Sequence, residues 1–290
     1  RVKTWLLDPC VPAVLPPPPV TCVGTTSIPD VEFETRLEAM GHGNGTVDGV
    51  VDNICHVTEL NLSNADGLFN CIPGQILTLS GIEDFTDLKD LYAYFQPLTT
   101  VGGVNVNQNL ALEKIDFQWT GFTSIDISDL SNLDYFLKDG LSGGCSAIPA
   151  ASVNTLTSIT LPTAGVLRHL SITYQPITNS SLINLNLQTS LKNLYLHDST
   201  GLTTLDVSAN TAIELLHVYD CSLTSLTLGN NINLFLLAGN TTSGIKRFKA
   251  TGNPASLIIH VGNATGRVAL AQSLFTVANG SFDAGTTIAI

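Results

Sequence analysis

Between Leu167 and Leu237 the apolar residues recur in a pattern that is neither helical nor a simple alternation. Leu167-x-x-Leu170-x-Ile172-x-x-Gln175-x-Ile177 returns as Ile213-x-x-Leu216-x-Val218-x-x-Cys221-x-Leu223. Aligned on the first apolar position, units start near Leu88, Leu112, Leu133, Leu167, Leu191, Ile213 and Leu234, about two dozen residues apart. The alternating centre of each unit predicts a short strand with one edge buried. A single unit cannot bury that edge alone. Stacked units share one core, so the pattern predicts a solenoid whose strands line up as a parallel sheet. Only the Leu133–Leu167 interval is wide; Gly140-Leu-Ser-Gly-Gly-Cys145-Ser-Ala-Ile-Pro149 within it reads as an inserted loop.

A second motif lies between the ladders: Phe122-Thr-Ser-Ile-Asp-Ile127, Leu156-Thr-Ser-Ile-Thr-Leu161, Leu202-Thr-Thr-Leu-Asp-Val207 and Leu223-Thr-Ser-Leu-Thr-Leu228. Its period of two and its β-branched content predict short strands on the convex side. Outside the array, residues 30–75 read as an N-terminal cap. Asp30 caps a short helix to about Met40, with Phe33, Leu37 and Met40 on one face and Gly41 ending it. The strand Val57–Leu62 follows. Residues 76–252 are the solenoid. Residues 253–290 read as a C-terminal cap, with a short helix over Val268–Phe275 and a last strand over Thr286–Ile290. Residues 1–29 are proline-rich, with Pro16, Pro17, Pro18 and Pro19 in a row, and are expected to be extended. They read either as a linker or as an apolar strap lying on a neighbouring subunit.

The unit matches the leucine-rich-repeat pattern L-x-x-L-x-L-x-x-(N/C)-x-L. Asn210-Thr-Ala-Ile-Glu-Leu-Leu with Leu223-Thr-Ser-Leu-Thr-Leu-Gly-Asn-Asn resembles the repeats of secreted leucine-rich-repeat proteins of the Bacteroidetes type. Ile28-Pro-Asp-Val-Glu-Phe-Glu and Leu79-Ser-Gly-Ile-Glu-Asp-Phe look like that group's cap region, and the array is more distantly similar to internalins. The likeness covers about residues 28 to 250. It implies recognition or adhesion rather than catalysis, and names no partner. The expected fold is therefore mostly β: a leucine-rich-repeat solenoid with a parallel concave sheet, short convex strands and a small helical N-terminal cap.

Composition narrows the function. Twelve Lys and Arg against 24 Asp and Glu give a net charge of -12, which disfavours nucleic acid and favours a basic or neutral partner. No run approaches the roughly 18 to 20 apolar residues of a membrane-spanning helix. Of the six cysteines, Cys10 with Cys22 and Cys55 with Cys71 are close enough to close small loops. Their oxidation would place the chain outside the cell. Cys221 sits at the repeat's N/C position, where a buried thiol is expected. No Cys/His cluster suggests zinc, and the loop Gly43-Asn-Gly-Thr-Val-Asp48-Gly lacks EF-hand spacing. Asn-x-Ser/Thr sequons begin at Asn44, Asn61, Asn179, Asn240, Asn263 and Asn279; an Asn- and Thr-rich repeat generates them by composition.

Within each unit the second, fourth and sixth positions after the first leucine project from the concave sheet, and the seventh lies at its rim. These columns hold all six tyrosines of the chain. The candidate ligand-binding residues are Tyr92, Tyr94, Trp119, Tyr135, His169, Tyr174, Tyr195, His197, Asp198, His217, Tyr219 and Asp220. Tyr, Trp and His combine apolar area with a polar tip, as a recognition face requires. The same rings would also stabilise neighbouring strands by stacking. Register places Tyr195 beside His217, His197 beside Tyr219 and Asp198 beside Asp220. Two carboxylates beside two imidazoles could suggest acid–base or calcium chemistry. The sheet is open, however, and no nucleophile sits in an activating arrangement, so no catalytic residue, metal or cofactor is assigned. The expected function is non-enzymatic recognition or adhesion, with a protein or glycan ligand, on an extracellular surface (secreted, cell-surface or virion-displayed). The alternative is a structural or decorating subunit of a larger assembly, docked through residues 1–29.

Overall fold

The computed structural model describes residues 24–52, 54–64, 74–99, 104–140, 153–231, 234, 241–242, 245–262 and 283–289. Eight parallel strands form the concave sheet: Glu59–Asn61, Asp90–Tyr92, Lys114–Asp116, Tyr135–Leu137, His169–Ser171, Asn193–Tyr195, Leu215–His217 and Phe248–Lys249. Their register aligns one ladder position across the whole sheet: Leu60, Leu91, Ile115, Phe136, Leu170, Leu194, Leu216 and Phe248. All eight side chains are fully buried. A coil that cannot close its own core closes it against the next, and one continuous apolar cluster runs from Ile28 to Val261.

The convex motif folds as its alternation predicts. Ser124–Asp126, Ser158–Thr160 and Leu182–Ile183 make a three-stranded parallel sheet. Thr204–Asp206, Ser225–Gly229, Ile258–Val261 and Thr287–Ala289 make a four-stranded one. Short 3-10 turns follow at Ile82–Asp84, before the Leu88 unit, and at Leu185–Leu187, just after the convex strand Leu182–Ile183.

At the N-terminal end the helix spans Val31–Ala39. Asp30 caps it, its Oδ1 accepting from the N–H groups of Glu32 and Phe33, while its Oδ2 accepts from those of Leu77 and Thr78. One carboxylate thus ends the helix and ties the cap to the first coils. Phe33 and Leu37 are buried as expected, but Met40 is 42% exposed: it is the C-cap, where the chain is already turning away through Gly41 at φ 87°. Thr26–Ser27 pairs antiparallel with Val50–Val51 beside the helix. Glu34 is buried yet well partnered, its Oε1 accepting from the N–H groups of Asp48, Gly49 and Val50.

The C-terminal end departs from the expected spacing. The strand beside Leu215–His217 is Phe248–Lys249, with Leu216 opposite Phe248. The last described concave unit is therefore Ile245-x-x-Phe248-x-Ala250-x-x-Asn253 rather than one beginning at Leu234. The expected unit failed because spacing by count ignores the residues added after Gly229. Leu237, the proline-rich residues 1–23, most of the loop after Gly140 and the expected helix Val268–Phe275 lie outside the described residues. The concave sheet takes in Glu59–Asn61, before residue 75, and the four-stranded convex sheet takes in Ile258–Val261 and Thr287–Ala289, after residue 253.

Polar side chains along the core edges satisfy the turn carbonyls that stacking would otherwise bury unpaired. On one flank stand Gln96, Thr120, Gln175, Cys221 and Asn253, each bonded to backbone of its own or an adjacent coil. On the other stand Asn109, Gln188, Asn210 and Asn231. Cys221 is free and buried, as the repeat position suggests. Lys138 breaks the apolar pattern. It occupies the third ladder position of its unit, is fully buried, and donates from Nζ to the carbonyls of Thr120 and Val153, each at 2.9 Å.

Candidate functional site

The concave columns project as the strand period requires, and the structure connects most of the candidate residues into one diagonal strip. Lys114 Nζ lies 4.9 Å from the Tyr92 ring and 5.0 Å from the Tyr135 ring. Tyr135 stacks on His169 at 4.2 Å and 18°. His169 meets Tyr195 at 5.5 Å, and Tyr195 meets His217 edge-on at 5.1 Å. His217 approaches Tyr219 at 6.0 Å, and Tyr219 stacks on His197 at 4.2 Å and 9°. Tyr174 meets His197 edge-on at 5.8 Å, and Lys249 Nζ sits 3.3 Å from the Tyr219 centroid. Tyrosine therefore alternates with Lys or His along the strip, an arrangement that favours both stacking and cation–π contact. Lys114 and Lys249 were not among the sequence candidates. The second-column position of Lys114 could have revealed it, had the columns been read for cations as well as aromatics; Lys249 falls in a column only of the unit beginning at Ile245, which spacing by count did not find.

Every tyrosine in the chain is half-buried rather than fully exposed. Burial raises the phenols of Tyr135 and Tyr195 and pushes that of Tyr219 up to about 12, helped by nearby carboxylates. Burial also lowers the His169 imidazole, against the pull of Asp139 and Asp134. Asp198 holds His197 by a 2.8 Å contact to Nδ1.

The seventh column is a distinct feature. Phe95, Trp119, Tyr174, Asp198 and Asp220 all have positive φ, between 51° and 59°. Gly252, in the same register, has φ 71°. Six coils turn out of their strands through a left-handed residue, and five of these positions carry a side chain that disfavours it; Gly140, at the same place in its unit, is not left-handed. The bulky members are not simply displayed at the rim. Phe95 is only 2% exposed and packs with Val153, Tyr94 and Trp119, with 4.3 Å between the Phe95 and Trp119 centroids. Trp119 also donates from its indole N–H to the Gly140 carbonyl. Tyr94 and Trp119 thus form a small cluster beside the inserted segment, apart from the main strip. Asp220 is exposed and packs over Gly252.

Two acids form the floor beside the strip. Asp116 is in register with Leu137 of the adjacent strand, and Asp139, two residues past the end of that strand, falls on the same face. Asp116 is 9% exposed, and burial raises its carboxyl, with Asp139 adding to the effect and the N–H and amide of Gln118 and the Lys114 charge opposing it. Asp139 accepts through Oδ1 from the Ser171 hydroxyl and from the N–H and hydroxyl of Thr173. The strip's other border carries an alternating row of ion pairs: Lys89 with Glu113, Arg168 with Asp134, and Lys192 with Glu214.

Among the described residues, no group of three or more His, Cys, Asp or Glu could hold a metal ion, and no helix is long and apolar enough to cross a membrane. The parallel register, the left-handed rim and the polar core edges are those of stacked ladder units. The chain is a leucine-rich-repeat solenoid. No family model and no curated protein matches it. Among solved structures it is similar to the functional domain of InlJ from Listeria monocytogenes, which includes a cysteine ladder: 20% identity over 83% of this chain, TM-score 0.49. It is also similar to an internalin (inlF) from Listeria monocytogenes: 15% identity over 90% of this chain and 91% of that one, TM-score 0.39. The chain spans 57% of the length of the InlJ chain it matches. Neither structure bears on the Bacteroidetes-type likeness of the repeats. Its function has to be argued from its own residues.

Proposed function

We propose that this is a non-enzymatic recognition or adhesion protein that engages a protein or glycan ligand through the Tyr/His/Lys strip of its concave sheet, on an extracellular surface. The observation that carries this reading is the strip itself: Tyr92, Lys114, Tyr135, His169, Tyr195, His217 and Tyr219 run across six coils in unbroken contact. Stacking alone would reward such an array. The tips, however, offer hydroxyl, imidazole and ammonium groups along a continuous, partly desolvated face, and such faces are where binding energy concentrates. Cys55 is disulfide-bonded, which fits an oxidising compartment. The His197–Asp198 pair is not proposed as catalytic, since His197 is packed between Tyr174 and Tyr219 on an open sheet.

The test is a chain carrying Tyr195→Ser, His217→Ser and Tyr219→Ser, compared with wild type for binding to the partner that co-purifies from the native source. Lost ring pairs should cost about 0.5–1.5 kcal/mol each in stability, leaving a folded solenoid. Loss of binding is expected; undiminished affinity in the folded variant would reject the concave face.

A further inference from the structure

Among the described acids of the concave strands Asp116 is the buried one, and Asp139 lies on the same face one coil on. Glu113, Asp134, Glu214 and Asp198 each have a cationic or imidazole partner. Among the described residues, neither Asp116 nor Asp139 forms an ion pair, although Asp116 is 9% exposed. The nearest cations act on these acids only from a distance: Lys114 lowers the Asp116 carboxyl and Asp139 raises the Lys138 ammonium, with no ion pair formed in either case among the described residues. Lys114 lies over the Tyr92 and Tyr135 rings, Lys249 over Tyr219, and Lys138 is buried against two carbonyls. Among the described residues, the hydrogen bonds to Asp139 all go to Oδ1. A nearly buried carboxylate whose nearest cation makes no direct ion pair with it is costly, and the cost falls when a second cation arrives.

Ring orientation narrows the occupant further. Tyr135 has His169 stacked on it at 4.2 Å and Lys114 over its ring; Tyr219 is flanked by His197 and Lys249 in the same way. These faces are taken up by neighbours, so they cannot lie flat against a sugar. What these two rings present is edges and polar tips, near two carboxylates that form no ion pair among the described residues.

We propose that the concave face docks a basic segment of a protein partner, with an arginine or lysine head seated between Asp116 and Asp139 beside Tyr135 and Tyr195. This rests on the concave face being the recognition surface. The complementarity is of charge and shape together: the pair of carboxylates supplies the counter-charge, and the ring edges bound it laterally.

The experiment titrates isotope-labelled full chain with acetyl-Gly-Arg-Gly-amide, its lysine analogue and its neutral citrulline isostere, reading the Asp116 and Asp139 carboxyl carbons and the Tyr135 and Tyr195 rings by NMR. Arginine and lysine peptides should shift these signals saturably, and citrulline should not. In the Asp116→Asn, Asp139→Asn double variant, whose amide oxygens keep the bonds to Oδ1 and lose only the Gln118 side-chain bond to Asp116 Oδ2, affinity should fall about tenfold or more. Equal response to citrulline overturns the proposal on wild-type chain alone, whatever the variant's folding. So do carboxyl shifts with calcium chloride at lower concentration than with peptide, or displacement of the peptide by maltohexaose. The native partner separates the two levels of inference. If the ring triple variant loses it while the folded double variant keeps it, the basic-segment proposal falls and the concave face stands; if both variants keep it, both fall.

Discussion

Lys138 stands where its unit calls for an apolar residue, and its chemistry follows from that place. Burial pushes its ammonium down to about 7, with the Asp139 charge opposing. The folded value lies below the unfolded one, so between them the unfolded chain binds more protons. Stability should therefore rise with pH from about 7 toward the ordinary lysine range. Urea midpoints measured at pH values of about 7 and 9 should climb in wild type, and Lys138→Met should flatten that climb; an equal slope in both would show that the amine does not titrate in this window. Asp220 offers a second residue-scale test. It is exposed with φ 51°, where the equivalent Gly252 meets no such penalty. Asp220→Gly should stabilise the chain by about 0.5–1 kcal/mol, read as a higher thermal midpoint. A lower midpoint would mean that the carboxylate contributes more than the backbone conformation costs.

At the scale of the coil, the core-edge polar residues are not equivalent. Asn253 donates to the carbonyls of Val218 and Ala250 and accepts from the N–H of Leu223. Cys221 makes only thiol contacts to the carbonyls of Leu196 and Tyr219. Asn253→Ala leaves three buried backbone groups short of a partner and should cost about 3 kcal/mol, against about 1 for Cys221→Ala. Chemical denaturation of the two variants compares them directly, and equal losses would contradict the hydrogen-bond account. The elements themselves were largely legible. The alternation in Leu202-Thr-Thr-Leu-Asp-Val207 is local, and it yields the convex strand Thr204–Asp206. The rim was not. Aromatic residues at positive φ defy residue preference, and only the shared register with Gly252 and with Asp198 and Asp220 hints at a left-handed turn there.

Across the whole molecule the core is continuous, so damage to one coil is felt by its neighbours. Leu216 is fully buried between Leu194 and Phe248 in register. Leu216→Ala should cost roughly 2–5 kcal/mol, and unfolding followed at both ends of the array should shift together. Separate transitions would show that the coils fold as independent blocks.

What the chain determined by its sequence is which residues face in and which face out, because a strand's period of two is set by neighbouring residues and needs no distant contact. That placed all six tyrosines on the concave columns and identified the solenoid. Tertiary structure decided what period cannot: that Tyr135 lies against His169 but Trp119 against Phe95, that Lys114 and Lys249 join the strip, that Asp116 and Asp139 share a floor, and that the last described concave unit begins at Ile245. Each depends on register between coils separated by turns and insertions of unequal length. That register is settled only when the stacked core closes.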